Sequence, residues 1–67
     1  MKKLIFNVDN NIIELLEKKD FFGSEIIMVI VNNKYVGFKN KYFEEDIFQM
    51  KNRLISGFGY KELGIYQ

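Results

Sequence analysis

The sequence predicts a small α+β domain spanning residues 1–67: a two-layer sandwich with an antiparallel sheet and the element order βαββα(β). The run 26–31 is apolar and mostly β-branched, and apolar residues resume after an Asn pair, which is typical of a β-hairpin. Segments on either side of this hairpin, 10–21 and 40–55, carry apolar residues at helical spacing. This order is the split βαβ, or ferredoxin-like, arrangement.

The first half of the chain is predicted to contain a strand over 3–8 and a helix over 10–21. Asp9, Asn10 and Asn11 favour helix N-caps, and Asn11 with Glu14 matches a capping box. Gly23 suits the residue after a helix end. The helix would present one apolar face, which consists of Ile12, Ile13, Leu15 and Leu16.

The second predicted helix is capped by Asn40 and ends at Ser56-Gly57. Its core face is a stripe with steps of four, three and four, formed by Phe43, Ile47, Met50 and Leu54. Acidic residues at 44–46 favour the helix N-terminus through its dipole, with a cation site or an acidic hook as the alternative. A last strand over 61–66 would complete the sheet, and without it the architecture reduces to βαββα.

The register of the hairpin determines which side chains share a face. With Asn32-Asn33 as a two-residue loop, Ile30 faces Tyr35, and pairing continues until Ile27 faces Phe38. Ile26, Met28, Ile30 and Tyr35 then lie on one face, and Ile27, Val29, Val31, Val36 and Phe38 on the other. A three-residue loop would exchange the partners, but both faces of the first strand would stay apolar.

One apolar face of the predicted sheet therefore remains open, because both helices lie on the same side and cover only the face on that side. Such exposed patches mark interaction surfaces. Phe58 and Tyr60, which lie in the glycine-containing loop after the second helix, are two further candidates. Phe58 is equally suited to packing into the core. The predicted protein-interaction residues are Ile26, Met28, Ile30, Tyr35, Phe58 and Tyr60.

Composition excludes several functional classes. The chain has no Cys and no His, which removes disulfides and the usual zinc or copper sites. A net charge of +1 gives no electrostatic signature for nucleic acid or an anionic surface. No nucleophile stands at a recognisable spacing from a base, so we expect neither an enzyme nor a cofactor. No apolar run reaches membrane-spanning length, so we expect a cytoplasmic protein without a membrane partner.

The expected function is a non-enzymatic protein-binding module. A chain of 67 residues without disulfides or metal gains stability from association, so we expect a homodimer through the hairpin strands or the open face. The residue types with AT-rich codons dominate the sequence, as in many phage and mobile-element proteins. Small proteins of that origin often inhibit host or defence proteins, and this is the role that we expect.

The alternative function is binding of single-stranded RNA or another nucleic acid. The predicted topology resembles that of the RNA-recognition motif, in which aromatic residues on the two central strands stack on bases. Segments 34–38 and 4–6 lie where that family carries its two aromatic motifs. Val36 stands where an aromatic residue is expected, Tyr35 where the first glycine is expected, and Tyr35 and Phe38 are predicted on opposite faces.

Overall fold

The computed structural model describes residues 2–40, 46–59, 61 and 65. Within them, one antiparallel sheet of four strands is followed by one helix, which confirms the α+β class. The sheet is a meander in which each strand pairs with the next along the chain. Its elements are β1 Lys3–Val8, β2 Asn11–Lys19, β3 Glu25–Val31 and β4 Lys34–Asn40, followed by α1 Ile47–Ile55. The ferredoxin-like arrangement is not confirmed, and the predicted strand over 61–66 lies mostly outside the described residues.

The predicted helix over 10–21 is wrong, because residues 11–19 form β2 and pair with both β1 and β3. Asp9 and Asn10 do not cap a helix. They have φ values of 50° and 69° and form a two-residue turn between Val8 and Asn11, as a type I′ hairpin requires. Hydrogen bonding to a strand on each side outweighs the helix propensity of the Leu, Glu and Lys residues in this segment.

The β3–β4 hairpin turns where the sequence predicts. Asn32 and Asn33 have φ values of 51° and 67°, and Ile30 pairs with Tyr35. Beyond that pair the predicted register is wrong, because a β-bulge shifts the pairing by one residue. Met28 therefore faces Phe38 instead of Gly37, and the remaining pairs are Val29 with Gly37 and Ile27 with Lys39.

The side chain of Asn32 joins the turns at Asp9-Asn10 and Asn32-Asn33, which we call the asparagine turns. Asn32 Oδ1 accepts a hydrogen bond from the Ile12 amide at 2.9 Å, and the backbone amide of Asn32 donates to the Ile12 carbonyl at 2.8 Å. Its Nδ2 donates to Asn11 Oδ1 at 3.0 Å. The side chain thus extends the β2–β3 ladder by one step beyond the last strand pair, Ile13 with Val31.

Helix α1 is capped at both ends. Asp46, not Asn40, is the N-cap: Asp46 Oδ1 accepts from the Gln49 amide at 2.9 Å, and Gln49 Oε1 accepts from the Asp46 amide at 3.0 Å. At the other end Gly57, with φ 97°, donates to the Leu54 carbonyl, and Phe58 donates to the Arg53 carbonyl. These two bonds form a Schellman motif and confirm the predicted helix end at Ser56-Gly57.

The core lies between α1 and one face of the sheet. Ile47, Met50 and Leu54 of the predicted stripe are buried, whereas Phe43 lies outside the described residues. The helix packs over β1 and β2. The buried cluster is completed by Phe6, Ile13, Leu15, Ile27, Val29 and Ile65, and Leu4, Val8, Val31 and Val36 pack at its margin.

Replacing Leu54 or Ile47 with Ala is expected to lower the free energy of unfolding by about 2–5 kcal/mol, because each change leaves a cavity in a small core. Urea denaturation measures this loss. Phe48→Ala is the matched control, because Phe48 lies on the exposed side of the same helix. Equal losses in the core variants and the control would show that the helix face is misassigned.

Replacement by glycine is expected to affect stability differently at the two asparagines of the turn. Asn33→Gly is expected to preserve stability, because glycine adopts positive φ without strain, whereas Asn33→Val is expected to cost roughly 1–3 kcal/mol. Asn32→Gly removes two side-chain hydrogen bonds and is expected to cost roughly 1–2 kcal/mol. Thermal denaturation of the three variants tests the turn, and equal melting temperatures would contradict it.

Candidate protein-interaction surface

One face of the sheet points away from α1, and we call it the open face. Strand residues alternate between faces, so those beside the core residues point the other way. Cross-strand partners share a face, which places Tyr35 with Ile30 and Phe38 with Met28. The open face consists of Lys3, Ile5, Asn7, Ile12, Glu14, Leu16, Lys18, Ile26, Met28, Ile30, Tyr35, Phe38 and Asn40.

Apolar side chains dominate the open face. Ile5, Ile12 and Tyr35 are each more than half exposed, at 56%, 54% and 57%. Leu16, Met28, Ile30 and Phe38 are half-buried between their neighbours. An antiparallel sheet with one wet face normally alternates apolar and polar residues, but here both faces are apolar. The open face thus has the character of an uncovered core layer.

The charged residues on the open face largely compensate one another. Lys3 Nζ lies 3.4 Å from Glu14 Oε1. Both side chains belong to this face, and an exposed pair of this kind contributes little to stability. Lys18 and Asn40 lie at one end, beside Ile26, and Asn7 lies toward the other. The centre of the face therefore carries no net charge that would repel a protein of the same composition.

The structure separates the six predicted interaction residues. Met28, Ile30 and Tyr35 lie together on the open face, as predicted. Ile26 is on the same face but is buried, so it supports the surface more than it contributes to it. Phe58 follows α1 on the helix side of the molecule, apart from this set, and Tyr60 lies outside the described residues.

Four open-face residues are missing from the sequence-based set: Ile5, Ile12, Leu16 and Phe38. Ile12 and Leu16 were assigned to a helix, and Phe38 was assigned to the opposite face because the bulge was not foreseen. One sequence signal does indicate the first hairpin. Asp9-Asn10 lies between two apolar runs, as Asn32-Asn33 does, and both pairs tolerate positive φ.

A shallow groove lies on the helix side, at the end of the sheet that carries the asparagine turns. Its volume is about 240 Å³, and Phe58 forms part of its wall. The Phe58 ring lies 5.8 Å from the guanidinium of Arg53, within the range of a cation–π contact. The remaining lining combines apolar and polar residues, namely Val8, Asp9, Asn11, Ile13, Val31, Leu54, Gly57 and Gly59.

The loop between β2 and β3 carries the most exposed aromatic residues. Phe21 is 97% exposed and Phe22 is 87% exposed. Their rings pack edge to face, with centroids 5.5 Å apart and planes at 87°. The sequence predicts both residues at the end of the first helix, so this pair, which we call the aromatic tip, is not among the predicted interaction residues.

Among residues 2–40, 46–59, 61 and 65, no group of three or more His, Cys, Asp or Glu residues is arranged to hold a metal ion. In the same part of the chain, no helix combines the length and apolar character needed to cross a membrane. No known protein-family model, curated protein or solved structure matches this chain.

Proposed function

We propose that this chain is a small, non-enzymatic protein-binding module whose interface is the open face of the sheet, and that a second copy of the chain covers this face in solution. The observation that carries the proposal is the apolar character of both sheet faces above a single described helix. Contiguous apolar surface of this kind is rare on monomers and typical of interaction sites.

The area of the open face is sufficient for a dimer. Four strands about 4.8 Å apart and roughly seven residues long, at about 3.4 Å per residue, give a plane of roughly 450 Å². Side-chain relief raises the accessible area further. Pairing two such faces buries on the order of 1,000 Å², the lower limit for a specific protein interface. We therefore expect a weak, concentration-dependent dimer.

Face-to-face packing is favoured over pairing of the edge strands. The β4 edge contains the bulge and carries Lys34 and Lys39, which are features that discourage strand addition. The β1 edge is short and begins with Lys2 and Lys3. By contrast, the open face is apolar, and its Lys3–Glu14 pair neutralises two of its charges. Such a surface can meet its own copy across a two-fold axis without repulsion.

Inhibition of a host or defence protein extends this proposal. Its support is the small size of the chain and its high content of residue types that have AT-rich codons. In addition, another protein could displace the second copy from the open face. The exchange of a homodimer for a target complex would bury the same apolar residues in both states. Capture from a host lysate, followed by competition with excess free chain, would test whether both partners use one surface.

Nucleic-acid binding remains the second candidate, and one observation favours it. The bulge places Tyr35 and Phe38 on the same face, contrary to the sequence-based prediction, so both rings can stack on bases. The likeness to the topology of the RNA-recognition motif is weaker than the sequence predicts, because β2 stands in place of the first predicted helix. Fluorescence anisotropy of a labelled single-stranded oligonucleotide, titrated with the chain, separates the candidates: binding that Tyr35→Ser abolishes would favour nucleic acid.

Charge on the open face is expected to prevent dimer formation without unfolding the monomer. Ile5→Lys or Ile30→Lys should shift the mass from about twice that of one chain to that of the 8.0 kDa chain. The reason is that a buried, unpaired ammonium group would be costly at the interface. Light scattering across a concentration series measures this mass.

Ile55→Lys is the matched control for these variants, because Ile55 is 52% exposed but lies on α1. It should dimerise like the unaltered chain. A constant monomer mass for the unaltered chain up to high micromolar concentration would contradict self-association. A dimer that survives the open-face variants and dissociates with Ile55→Lys would place the interface on the helix.

A further inference from the structure

We propose that the aromatic tip is a membrane anchor that inserts Phe21 and Phe22 into the interfacial region of a bilayer containing anionic lipids. This inference goes beyond the proposed function and differs from the sequence-based expectation of no membrane partner. It rests on the β2–β3 loop and the charged residues around its base, and it does not require the open face to bind protein.

The first supporting observation is the near-complete exposure of two adjacent phenylalanines. Phe21 and Phe22 project from the end of a hairpin, where their rings pack edge to face. Together they present on the order of 300–400 Å² of apolar surface, since a fully buried aromatic side chain removes about 150–250 Å² from water. This is as much as the largest patch on a typical monomer, and such patches are often functional.

The second observation is that the loop satisfies most of its own backbone amides. Asp20 Oδ1 accepts from the amides of Phe22, at 2.9 Å, and Ser24, at 2.8 Å. The Asp20 amide donates to the Ser24 carbonyl, and the Gly23 amide donates to the Asp20 carbonyl. Four of the five amides in the loop are therefore paired internally. The loop therefore presents few unpaired amides when the two rings enter the interfacial region, where unpaired amides are costly.

The third observation is the positive charge around the base of the loop. Lys18 and Lys19 directly precede it, and Lys2 lies beside β2, where its carbonyl accepts from the Glu17 amide at 2.9 Å. Lys3 is paired with Glu14, and the other charged residues at this end leave only a small excess of positive charge: Lys2, Lys18, Lys19 and the buried Lys39 against Glu17, Asp20 and Glu25. Aromatic residues that insert, combined with lysines that meet lipid headgroups, are typical of interfacial anchors.

The shape and size of the tip favour lipid over a protein pocket. The tip is a convex projection, and a protein partner would need a concave site complementary to both rings. Its area is also about half of the roughly 800 Å² that each partner contributes to a standard protein interface. A bilayer interface adapts to the shape of the inserted group, so a small aromatic projection is sufficient for weak, reversible binding.

Vesicle co-sedimentation of the full chain tests the proposal. The chain should sediment with phosphatidylcholine vesicles that contain phosphatidylglycerol, and less with phosphatidylcholine alone, and added salt should weaken the difference. The double variant Phe21→Ser/Phe22→Ser should lose at least about tenfold in its partition coefficient, because both inserting rings are removed. Its melting temperature should be unchanged, since both rings are almost fully exposed.

Phe48→Ser is the matched control, because it removes an exposed phenylalanine, 54% accessible, from α1 instead of the loop. It should bind vesicles like the unaltered chain. Equal sedimentation of the unaltered chain and the double variant would overturn the proposal, and so would the absence of binding to both vesicle types. Loss of a protein partner in the double variant, without any vesicle binding by the unaltered chain, would overturn it in favour of a protein pocket.

The vesicle test is independent of the proposed dimer. Ile30→Lys lies on the open face, away from the loop, and should retain vesicle binding even where it abolishes dimer formation. Conversely, the double variant at the tip should still dimerise. Failure of one proposal is therefore distinguishable from failure of the other.

Discussion

The side chain of Asn32 connects the two asparagine turns and holds the sheet in register. Its Oδ1 accepts from the Ile12 amide in place of a strand carbonyl, while the backbone amide of Asn32 donates to the Ile12 carbonyl. Positive φ at Asp9, Asn10, Asn32 and Asn33 closes the β1–β2 and β3–β4 hairpins with two-residue loops. A slip of one residue would exchange the two faces of a strand, so these turns determine which apolar set meets the helix.

The open face follows from this register. Both faces of β2 and β3 are apolar, and α1 packs on one side of the sheet. Its core residues Ile47, Met50 and Leu54 leave the side chains on the opposite side uncovered. The bulge in β4 enlarges that surface, because it places Phe38 beside Met28 and moves Lys39 to the helix side. Local backbone geometry thus determines both the composition and the extent of the candidate interface.

Sequence patterns predicted the parts of the fold in which local and tertiary preferences agree. Asn32-Asn33 favours positive φ, and the spacing of Ile47, Met50 and Leu54 fits only a helix that has one buried face. Segment 11–19 is different, because its apolar residues fit one helical face and also fit a strand buried on both sides. Pairing with two neighbouring strands decided between these states, and a single sequence does not display that pairing.

The candidate surfaces were predicted less completely for a related reason. Met28, Ile30 and Tyr35 follow from simple alternation, but Phe38 requires the bulge, and Ile5, Ile12 and Leu16 require β2 to be a strand. The exposure of Phe21 and Phe22 depends on a loop closed by Asp20. Aromatic residues are usually buried, so the hydrophobicity of Phe21 and Phe22 does not by itself predict their exposure.

Intermolecular nuclear Overhauser effects between differently labelled copies of the chain test the central claim most directly. An isotope-filtered experiment on a mixed sample detects only contacts that join two copies. The open face predicts contacts that involve the methyl groups of Ile5, Met28 and Ile30 and the ring of Tyr35. Contacts from Phe48 and Ile55 on α1 instead, in a sample shown to be dimeric, would contradict the proposed interface.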